Sequence, residues 1–590
     1  MIKRLFILIA VLMMASFASA RDLKLEYSLR DTDEDIVFVS TGELNTWSSP
    51  YITATGLVNA NIQWTNPSGS TINALVPSIN FFLSAGTYRV HATDWSRVTR
   101  LSLGTSSSGQ TYITSIPNMS YLLNNFTGLT TMTYMFGFQT NLLMDITNFV
   151  IPTNVTSLSG CFISCTNITG TVPILTNLTK LTTLASAFNY CINITGSYPD
   201  ISMLTNLTDL SYAFATTKMT GNIPTLSNLV KVTTMDSTFY NNEGGSNSGL
   251  VGSIPNLITL TNLTTLRQCF YSKPSLTGDV PNLPVSLLSL ETTFAYCYGL
   301  TGSIPNLNTL TNLTTMTYTF YNCTNLNGTF PVTLTNMTKL TGGGLINTFC
   351  SCSKLTGTLP DISTLTNLTA LTYSFFGCLS ATGSVPDISG LTKLTAILYA
   401  FGSCTNLSGN YPVLNTLTNV TSASYLFSNC NNLTGNMPDI STWTKYNLTF
   451  EQMFYSNKKA TGSLPNYSPL TNASGSMYAM FANCYNVTGS IPEITTIPNI
   501  SRFDDAFYNC TNLSGNVDVI FANTNNLKNV FQSQKAFYNN YKLTGSGMRF
   551  VNAPKSASYV TNTGTLSSSY QMFYNCTNLS DYATIPAWYK

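Results

Sequence analysis

The sequence predicts a repeat solenoid whose coils each combine a parallel β-strand with a short helical or 3₁₀ return, preceded by a small all-β, sandwich-like domain. Phenylalanine recurs along most of the chain about every 26 residues, and two hydrophobic periods alternate within each interval. The chain before residue 106 lacks both features. Because 590 residues are too many for one ordinary core, growth by stacking similar units is the expected solution.

Residues 1–20 have the features of a secretory signal peptide. Lys3 and Arg4 precede an apolar stretch, and an A-x-A cleavage site ends at Ala20. The apolar stretch is shorter than the ~20 residues that a spanning helix needs. No later segment qualifies, so we expect export to the medium or the cell surface, with no membrane span in the mature chain.

Charge is scarce throughout the sequence. Charged residues make up 8% of the chain and the formal net charge is +2, so losing Lys3 and Arg4 leaves the mature chain nearly neutral. Nucleic acids and acidic membranes bind proteins that have clustered positive charge, so neither is an expected partner. Because nearly neutral copies of the chain repel one another only weakly, self-association is compatible with this composition.

A phenylalanine opens each of about 17 units. The unit at 310–331 reads L-T-N-L-T-T-M-T-Y-T-F-Y-N-C-T-N-L-N-G-T-F-P. One such unit cannot bury its apolar side alone, so each needs a neighbour above and below. The marker residues are Phe136, Phe162, Phe188, Phe214, Phe239, Phe270, Phe294, Phe320, Phe349, Phe375, Phe401, Phe427, Phe454, Phe481, Phe507, Phe537 and Phe573.

Two hydrophobic periods coexist inside one unit. The segment Met316–Cys323 places its apolar residues at i, i+4 and i+7, with a threonine at i+3, which predicts a short helix or 3₁₀ stretch. The segment Leu300–Ile304 alternates with period two and is followed by Pro305, which predicts a strand that ends there. The L-T-T-M-T-Y-T-F segment can also be read as a strand, in which case the two assignments exchange.

The prediction divides the mature chain into a β-sandwich-like domain at 21–105 and a solenoid at 106–590. Alternating stretches such as Asp35–Val39 and Gly86–Val90, separated by Gly, Pro, Asn and Ser, indicate the strands of the first domain. This domain is placed to cover the first coil. The sequence stops soon after Phe573 without an obvious polar cap, which predicts an open last coil.

The repeated unit A/M-F-x-x-C-x-x-L-x-x-x-I/V-P resembles the BspA-type leucine-rich repeat and the related DUF285 family, over roughly residues 120–590. The segment around Gly86–Val90 is similar to the end of a degenerate PKD-like β-sandwich. The resemblance implies a secreted or surface protein that works in adhesion, and it supplies no catalytic or cofactor-binding residues. Matching residues include Ala187, Phe188, Cys191, Met453, Phe454, Met480, Phe481, Cys484, Ala506, Phe507, Cys510, Leu513, Met572, Phe573, Cys576 and Leu579.

Most of the fourteen cysteines occupy the FxxC position. Stacked coils lie about 4.8 Å apart and point equivalent side chains the same way, which favours an inward ladder of small buried thiols. Disulfides between neighbours are the alternative, since an exported chain can oxidise. Cys161, Cys269 and Cys350 fall outside the column. Its members are Cys165, Cys191, Cys297, Cys323, Cys352, Cys378, Cys404, Cys430, Cys484, Cys510 and Cys576.

The sequence predicts no enzyme, no cofactor and no metal site. His91 is the only histidine, it lacks the context of a catalytic triad, and no CxxC pair occurs. The acidic run from Asp31 to Asp35 is interpreted as a solvated loop rather than a calcium site. Carboxylates that follow the strand-ending proline are interpreted as turn caps, with a column of calcium sites as the alternative. These are Asp200, Asp361, Asp387, Asp439 and Glu493.

Outward strand residues are the best candidates for ligand contact. Thr, Ser, Asn and Asp flank the repeated glycine, and in a stack they form two columns that can hydrogen-bond a polymer or another copy of the chain. The structural alternative is that threonine occurs there because β-branched residues favour strands. Tyrosines beside the marker phenylalanine would form a flanking strip of binding anchors. The predicted ligand-binding residues are Thr277, Asp279, Thr301, Ser303, Thr356, Thr358, Thr382, Ser384, Tyr271 and Tyr321.

These features predict an adhesin-like binding protein, secreted or displayed at the cell surface. Its expected partners are protein or glycan ligands on host, matrix or neighbouring cells. The alternative is a structural subunit that self-assembles into an extracellular layer or filament.

Overall fold

The computed structural model describes residues 35–40, 50–54, 57–77, 85–104, 113–117, 119, 126–241, 249–446, 448–465, 467, 470, 475–497, 500–530, 532–556 and 571–590. The predicted signal peptide and the acidic run up to residue 34 lie outside these residues. The chain forms two compact units, one of Met1–Leu181 with Tyr190–Ile194 and the other of Thr182–Asn189 with Thr195–Lys590. No helix among the described residues is long and apolar enough to cross a bilayer.

The first unit begins with a small antiparallel region. A five-stranded sheet has the order β4-β3-β5-β1-β7, and β2 pairs separately with β6. The predicted stretches correspond to β1 and β5, which pair directly, and alternate residues such as Trp64 and Tyr88 are fully buried. The sheet extends past the boundary predicted at residue 105, because β7 follows it. The strands are β1 Ile36–Ser40, β2 Tyr51–Ala54, β3 Ile62–Thr65, β4 Thr71–Asn73, β5 Gly86–Ala92, β6 Val98–Ser102 and β7 Ile113–Ser115.

Strand β6 covers the first coil of the same unit, as predicted. The Thr130 amide donates to the Thr99 carbonyl oxygen at 3.0 Å, and the Leu103 amide donates to the Met135 carbonyl oxygen at 2.9 Å. The backbone groups of this coil are therefore paired by the antiparallel region rather than left open.

The coils contribute very short parallel strands after the cysteine position, which confirms the predicted strand type, although Leu300–Ile304 itself has only an isolated bridge between Gly278 and Leu300. In β13 and β14, Gly357 pairs with Ala381 and Thr358 with Thr382. The strands are short because a glycine with positive φ turns the chain and a proline soon follows. Their bounds are β8 Gly170–Thr171, β9 Ile194–Thr195, β10 Gly221–Asn222, β11 Leu250–Ser253, β12 Leu276–Thr277, β13 Gly357–Thr358, β14 Ala381–Thr382, β15 Gly409–Asn410, β16 Leu433–Thr434, β17 Ser514–Asn516 and β18 Lys542–Thr544.

The helical return predicted over Met316–Cys323 is wrong. Tyr318 and Asn322 have φ values of 59° and 62°, which no right-handed helix accommodates. The segment is instead a series of tight turns, in which the Thr319 amide donates to the Met316 carbonyl oxygen at 3.0 Å. Such turns bury residues at i, i+3, i+4 and i+7 just as a helix does. The pattern therefore predicted correctly which residues are buried, but not the backbone conformation.

Alternate amides of this turn segment pair with the next coil. The Tyr318 amide donates to the Ile346 carbonyl oxygen and the Phe320 amide to the Thr348 carbonyl oxygen, both at 2.9 Å. This ladder resembles that of parallel strands, with turns between its rungs. The alternative strand reading therefore anticipated the pairing between coils but not the turns.

The marker phenylalanines form a continuous stack in the second unit, which confirms their inward placement. From Phe188 to Phe573, successive rings have centroids between 5.3 and 6.2 Å apart. Each ring is at most 1% exposed. The stack gives every coil the same apolar anchor.

The last coil is covered, so the predicted open end is wrong for the described residues. Tyr589 is 4% exposed, and its carbonyl oxygen accepts from the Phe573 amide at 2.7 Å. Two short helices lie near this end, α1 Val517–Ile520 and α2 Met548–Val551. Described 3₁₀ turns are Asn59–Asn61, Trp95–Arg97, Leu307–Thr309, Ile494–Thr496, Thr524–Asn529, Tyr582–Thr584 and Ala587–Tyr589.

Candidate functional site

The cysteine column is a structural ladder of thiols. All fourteen cysteines are free and buried. The Cys323 thiol donates to the Phe294 carbonyl oxygen at 3.0 Å, one coil earlier, and Cys404 makes the same bond to Phe375. Burial raises the pKa of the Cys297 thiol to about 12, so that thiol stays protonated. A protonated, inaccessible thiol is a hydrogen-bond donor and not a nucleophile.

Polar residues interrupt this ladder at two buried positions that were not predicted. Lys273 stands three residues after Phe270, where other coils have cysteine, and is 2% exposed. Burial lowers its pKa from 10.5 to about 8. Asn457 takes the place of another cysteine and is fully buried, and neither atom of its amide has a well-formed hydrogen bond to another described residue, the Tyr411 hydroxyl being its nearby polar neighbour. Counting three residues from each marker phenylalanine would have found both.

Four of the five repeated carboxylates cap turns, as predicted. The Ser363 amide donates to Asp361 Oδ1 at 2.9 Å. Asp200, Asp387 and Asp439 accept the equivalent bond at the same distance. Glu493 differs, because it accepts the Thr495 hydroxyl at 2.5 Å instead of a backbone amide. With their oxygens engaged in this way, these residues are accounted for by local structure.

His91 of the antiparallel region has a carboxylate as its hydrogen-bond partner. His91 Nδ1 lies 2.8 Å from Asp35 Oδ1 across strand β5 and the start of β1. The described residues contain no group of three or more His, Cys, Asp or Glu side chains that could hold a metal ion. His91 is therefore placed as a surface residue of the sheet with a local partner.

The predicted strand-face residues are all exposed, but they are not equivalent. In the first column, the Thr356 hydroxyl donates to the Gly328 carbonyl oxygen at 3.0 Å and so stabilises the stack. In the second column, the side chain lies over the glycine of the next coil. A methyl group on Gly302 would sit 1.7 Å from Asp279 Oδ1, and Gly302 has a φ of 72°, so glycine is required there.

Two predicted residues, Asp279 and Ser303, meet in a depression on the strand side. Its volume is about 430 Å³, and three successive coils contribute to it. Thr277 and Thr301 belong to the same coils without lining it, and Thr356 to Ser384 lie farther along the chain. The lining residues of this strand-side depression are Ser253, Ile254, Asn256, Asp279, Val280, Pro281, Asn282, Ser303, Ile304 and Pro305.

The predicted tyrosines Tyr271 and Tyr321 belong to a larger patch. Tyr296 joins them, with ring centroids 5.6 Å from Tyr271 and 5.2 Å from Tyr321. Tyr298 and Tyr318 are 38% and 40% exposed, so the patch faces solvent. We call Tyr240, Tyr271, Tyr296, Tyr298, Tyr318 and Tyr321 the tyrosine cluster.

Half of this cluster lies outside the predicted strip, which contains only the residue after each marker phenylalanine. Tyr296 lies two residues after its marker and Tyr318 two before, and both have positive φ. Only the turn geometry brings these offsets to one surface. Farther along the chain, Tyr508, Tyr538 and Tyr574 stack at 5.0 and 4.4 Å, as the predicted strip required.

Comparison with known proteins identifies the repeats. The family described as "Mycoplasma protein of unknown function, DUF285" matches residues 233–341, 369–494, 395–520, 421–546 and 475–588. No curated protein matches the chain. The functional domain of InlJ from Listeria monocytogenes, which includes a cysteine ladder, is 17% identical with a TM-score of 0.33, covering 72% of this chain and 82% of that one.

A leucine-rich cell surface protein from Faecalibacterium prausnitzii is 13% identical with a TM-score of 0.20, covering 87% of this chain and 99% of that one. The family matches together span more than half of the 590 residues and coincide with the stacked coils of the second unit. The chain therefore belongs to the DUF285 family, with the BspA-type leucine-rich repeat that its sequence resembles.

Proposed function

We propose that this chain is a non-enzymatic binding protein, secreted or held at the cell surface, that contacts a protein or glycan ligand in an adhesin-like role. The tyrosine cluster carries this proposal. Six rings from neighbouring coils form one exposed patch on a rigid stack. Tyrosine supplies large contact area at low entropic cost together with a polar hydroxyl, which is why it anchors many interfaces.

The cluster is a neutral surface. Burial and the neighbouring Tyr296 hydroxyl raise the pKa of Tyr271, and the same causes raise the pKa of Tyr321 to about 12. Both hydroxyls therefore stay protonated at physiological pH and act as donors and acceptors without charge. The scarcity of charge in the chain fits a ligand bound by contact area and hydrogen bonds rather than by salt-sensitive attraction.

The test is binding of the purified full chain to a panel of glycans, matrix proteins and microbial cells. Replacing Tyr298 and Tyr318 with alanine should weaken saturable binding by about tenfold or more. Tyr541→Ala is the matched control, since Tyr541 is 43% exposed but lies outside the cluster. Absence of binding to the whole panel, or equal loss in the control, would contradict the proposal.

A self-assembling structural subunit is the second candidate. Exposed apolar residues follow the strand-ending proline in two coils of the second unit, with Val332 83% and Val413 55% exposed. Assembly of this kind would use these lateral apolar residues. Sedimentation over a wide concentration range separates the candidates, because a strict monomer removes this one.

A further inference from the structure

We propose that the strand-side depression is a subsite for one sugar residue of a neutral oligosaccharide, with Asp279 as its principal hydrogen-bond acceptor. This inference rests on the proposed binding function and names a ligand class for it. The proposal gives the strand-side depression and the tyrosine cluster separate roles in binding, since the cluster is formed by other residues of the same coils.

Asp279 is the acid of its column in the second unit. The residue after the repeated glycine is Ser253 one coil earlier and Ser303 one coil later, and no other coil of the second unit has an acid there. In the first unit Asp145 takes the corresponding place over Gly170, but its Oδ1 accepts the Thr147 amide at 2.8 Å. Its side chain is exposed, and the required glycine at 302 lets the carboxylate rest against the next coil. An ionised carboxylate accepts two hydroxyl groups at once, which matches adjacent hydroxyls of a sugar ring.

The other polar groups of the depression supply both donors and acceptors. Asn256 Oδ1 accepts the Ile258 amide at 3.1 Å, which fixes the side chain and leaves its NH₂ group to donate. Asn282 and Ser303 add an amide and a hydroxyl to the lining. Amides, hydroxyls and one carboxylate around a small space are suited to a ligand rich in hydroxyl groups.

The apolar part of the lining suits the C–H face of a sugar ring. Ile254, Val280 and Ile304 are between 4% and 6% exposed and form a firm floor with two prolines. The volume of about 430 Å³ lies within the range of small-ligand sites. No lysine, arginine or histidine lines the depression, so an anionic glycan would meet Asp279 without compensation.

Calorimetric titration of the full chain tests this proposal with four neutral hexasaccharides of glucose (β-1,4 and β-1,3), xylose and mannose. We expect saturable binding of at least one, weakened about tenfold or more by Asp279→Asn because a charge-assisted hydrogen bond is lost. This variant should fold, since Asn410 and Asn436 occupy the same position over a glycine in other coils. Asp361→Asn is the matched control, because Asp361 is exposed but caps a turn.

Three results would overturn the proposal: no binding of any hexasaccharide, equal binding by Asp279→Asn and the parent chain, or binding that requires added calcium and vanishes with a chelator. The last would make the depression a cation site. Each is distinguishable from failure of the proposed function, which is measured on the full panel with the tyrosine variants.

Discussion

Single residues determine how well one coil fits the next. Asn457 places an amide without a well-formed hydrogen bond to any described residue where neighbouring coils have a thiol that donates to the preceding coil. Asn457→Cys should therefore raise the free energy of unfolding by about 1–3 kcal/mol, measured by urea denaturation. Asn540→Cys is the control and should gain less, because Asn540 Nδ2 already donates to the Phe507 carbonyl oxygen at 2.8 Å. No gain at Asn457 would mean that its amide is satisfied in solution.

Lys273 should make stability depend on pH. Burial lowers its pKa from 10.5 to about 8 in the folded chain. Between pH 8 and pH 10.5 the unfolded chain holds a proton on Lys273 that the folded chain has lost, so the free energy of unfolding rises with pH. Below about pH 8 Lys273 is charged in both states, and the folded chain bears the full destabilisation from burying that charge. Urea midpoints should show this slope as a difference between the parent chain and Lys273→Met. Lys339→Met, at an exposed lysine, should not change the profile.

At the scale of elements, the phenylalanine stack holds the coils together. Phe320 is fully buried and lies 5.7 Å from the rings of both neighbours. Phe320→Ala should lower the free energy of unfolding by about 3–5 kcal/mol through the cavity it leaves. Phe376→Ala, at a half-buried ring beside the stack, should cost less. A loss below about 1 kcal/mol at Phe320, measured by urea denaturation, would contradict a close-packed stack.

The elements also show where prediction from sequence succeeds. Period two in segments such as Leu300–Ile304 led to the strand position of the coils, because burial on one face dictates the alternation, although Leu300 itself forms only an isolated bridge. The segment Met316–Cys323 was assigned wrongly because consecutive turns and a helix bury residues at the same spacing. The decisive feature is positive φ at residues such as Tyr318 and Asn322, which no glycine marks. The tyrosine cluster depends on that turn geometry, so only three of its six members lay in the strip predicted beside the marker phenylalanines, and two of these were predicted as ligand-binding residues.

At the scale of the whole molecule, nearest-neighbour stacking makes single coils removable. Deleting residues 370–395 joins Thr369 to Ala396, which occupies the place of Ala370 in the next coil. Phe349 would then stack on Phe401, and every ladder would keep its register. We expect the shortened chain to remain folded, with an unchanged circular dichroism spectrum and unaltered ligand binding, since the tyrosine cluster and the strand-side depression lie outside the deletion.

The matched control deletes residues 370–382, about half a coil, and so shifts the turn segment against the strand side. Buried leucines and phenylalanines would then face the wrong neighbours, and hydrogen exchange should accelerate in the coils on either side. If hydrogen-exchange protection were equal in the two shortened chains, nearest-neighbour stacking would be contradicted. Stacking in register predicts that the longer deletion, which removes a whole coil, disturbs the neighbouring coils less than the shorter one. The order of the two outcomes therefore tests the architecture, independently of any ligand.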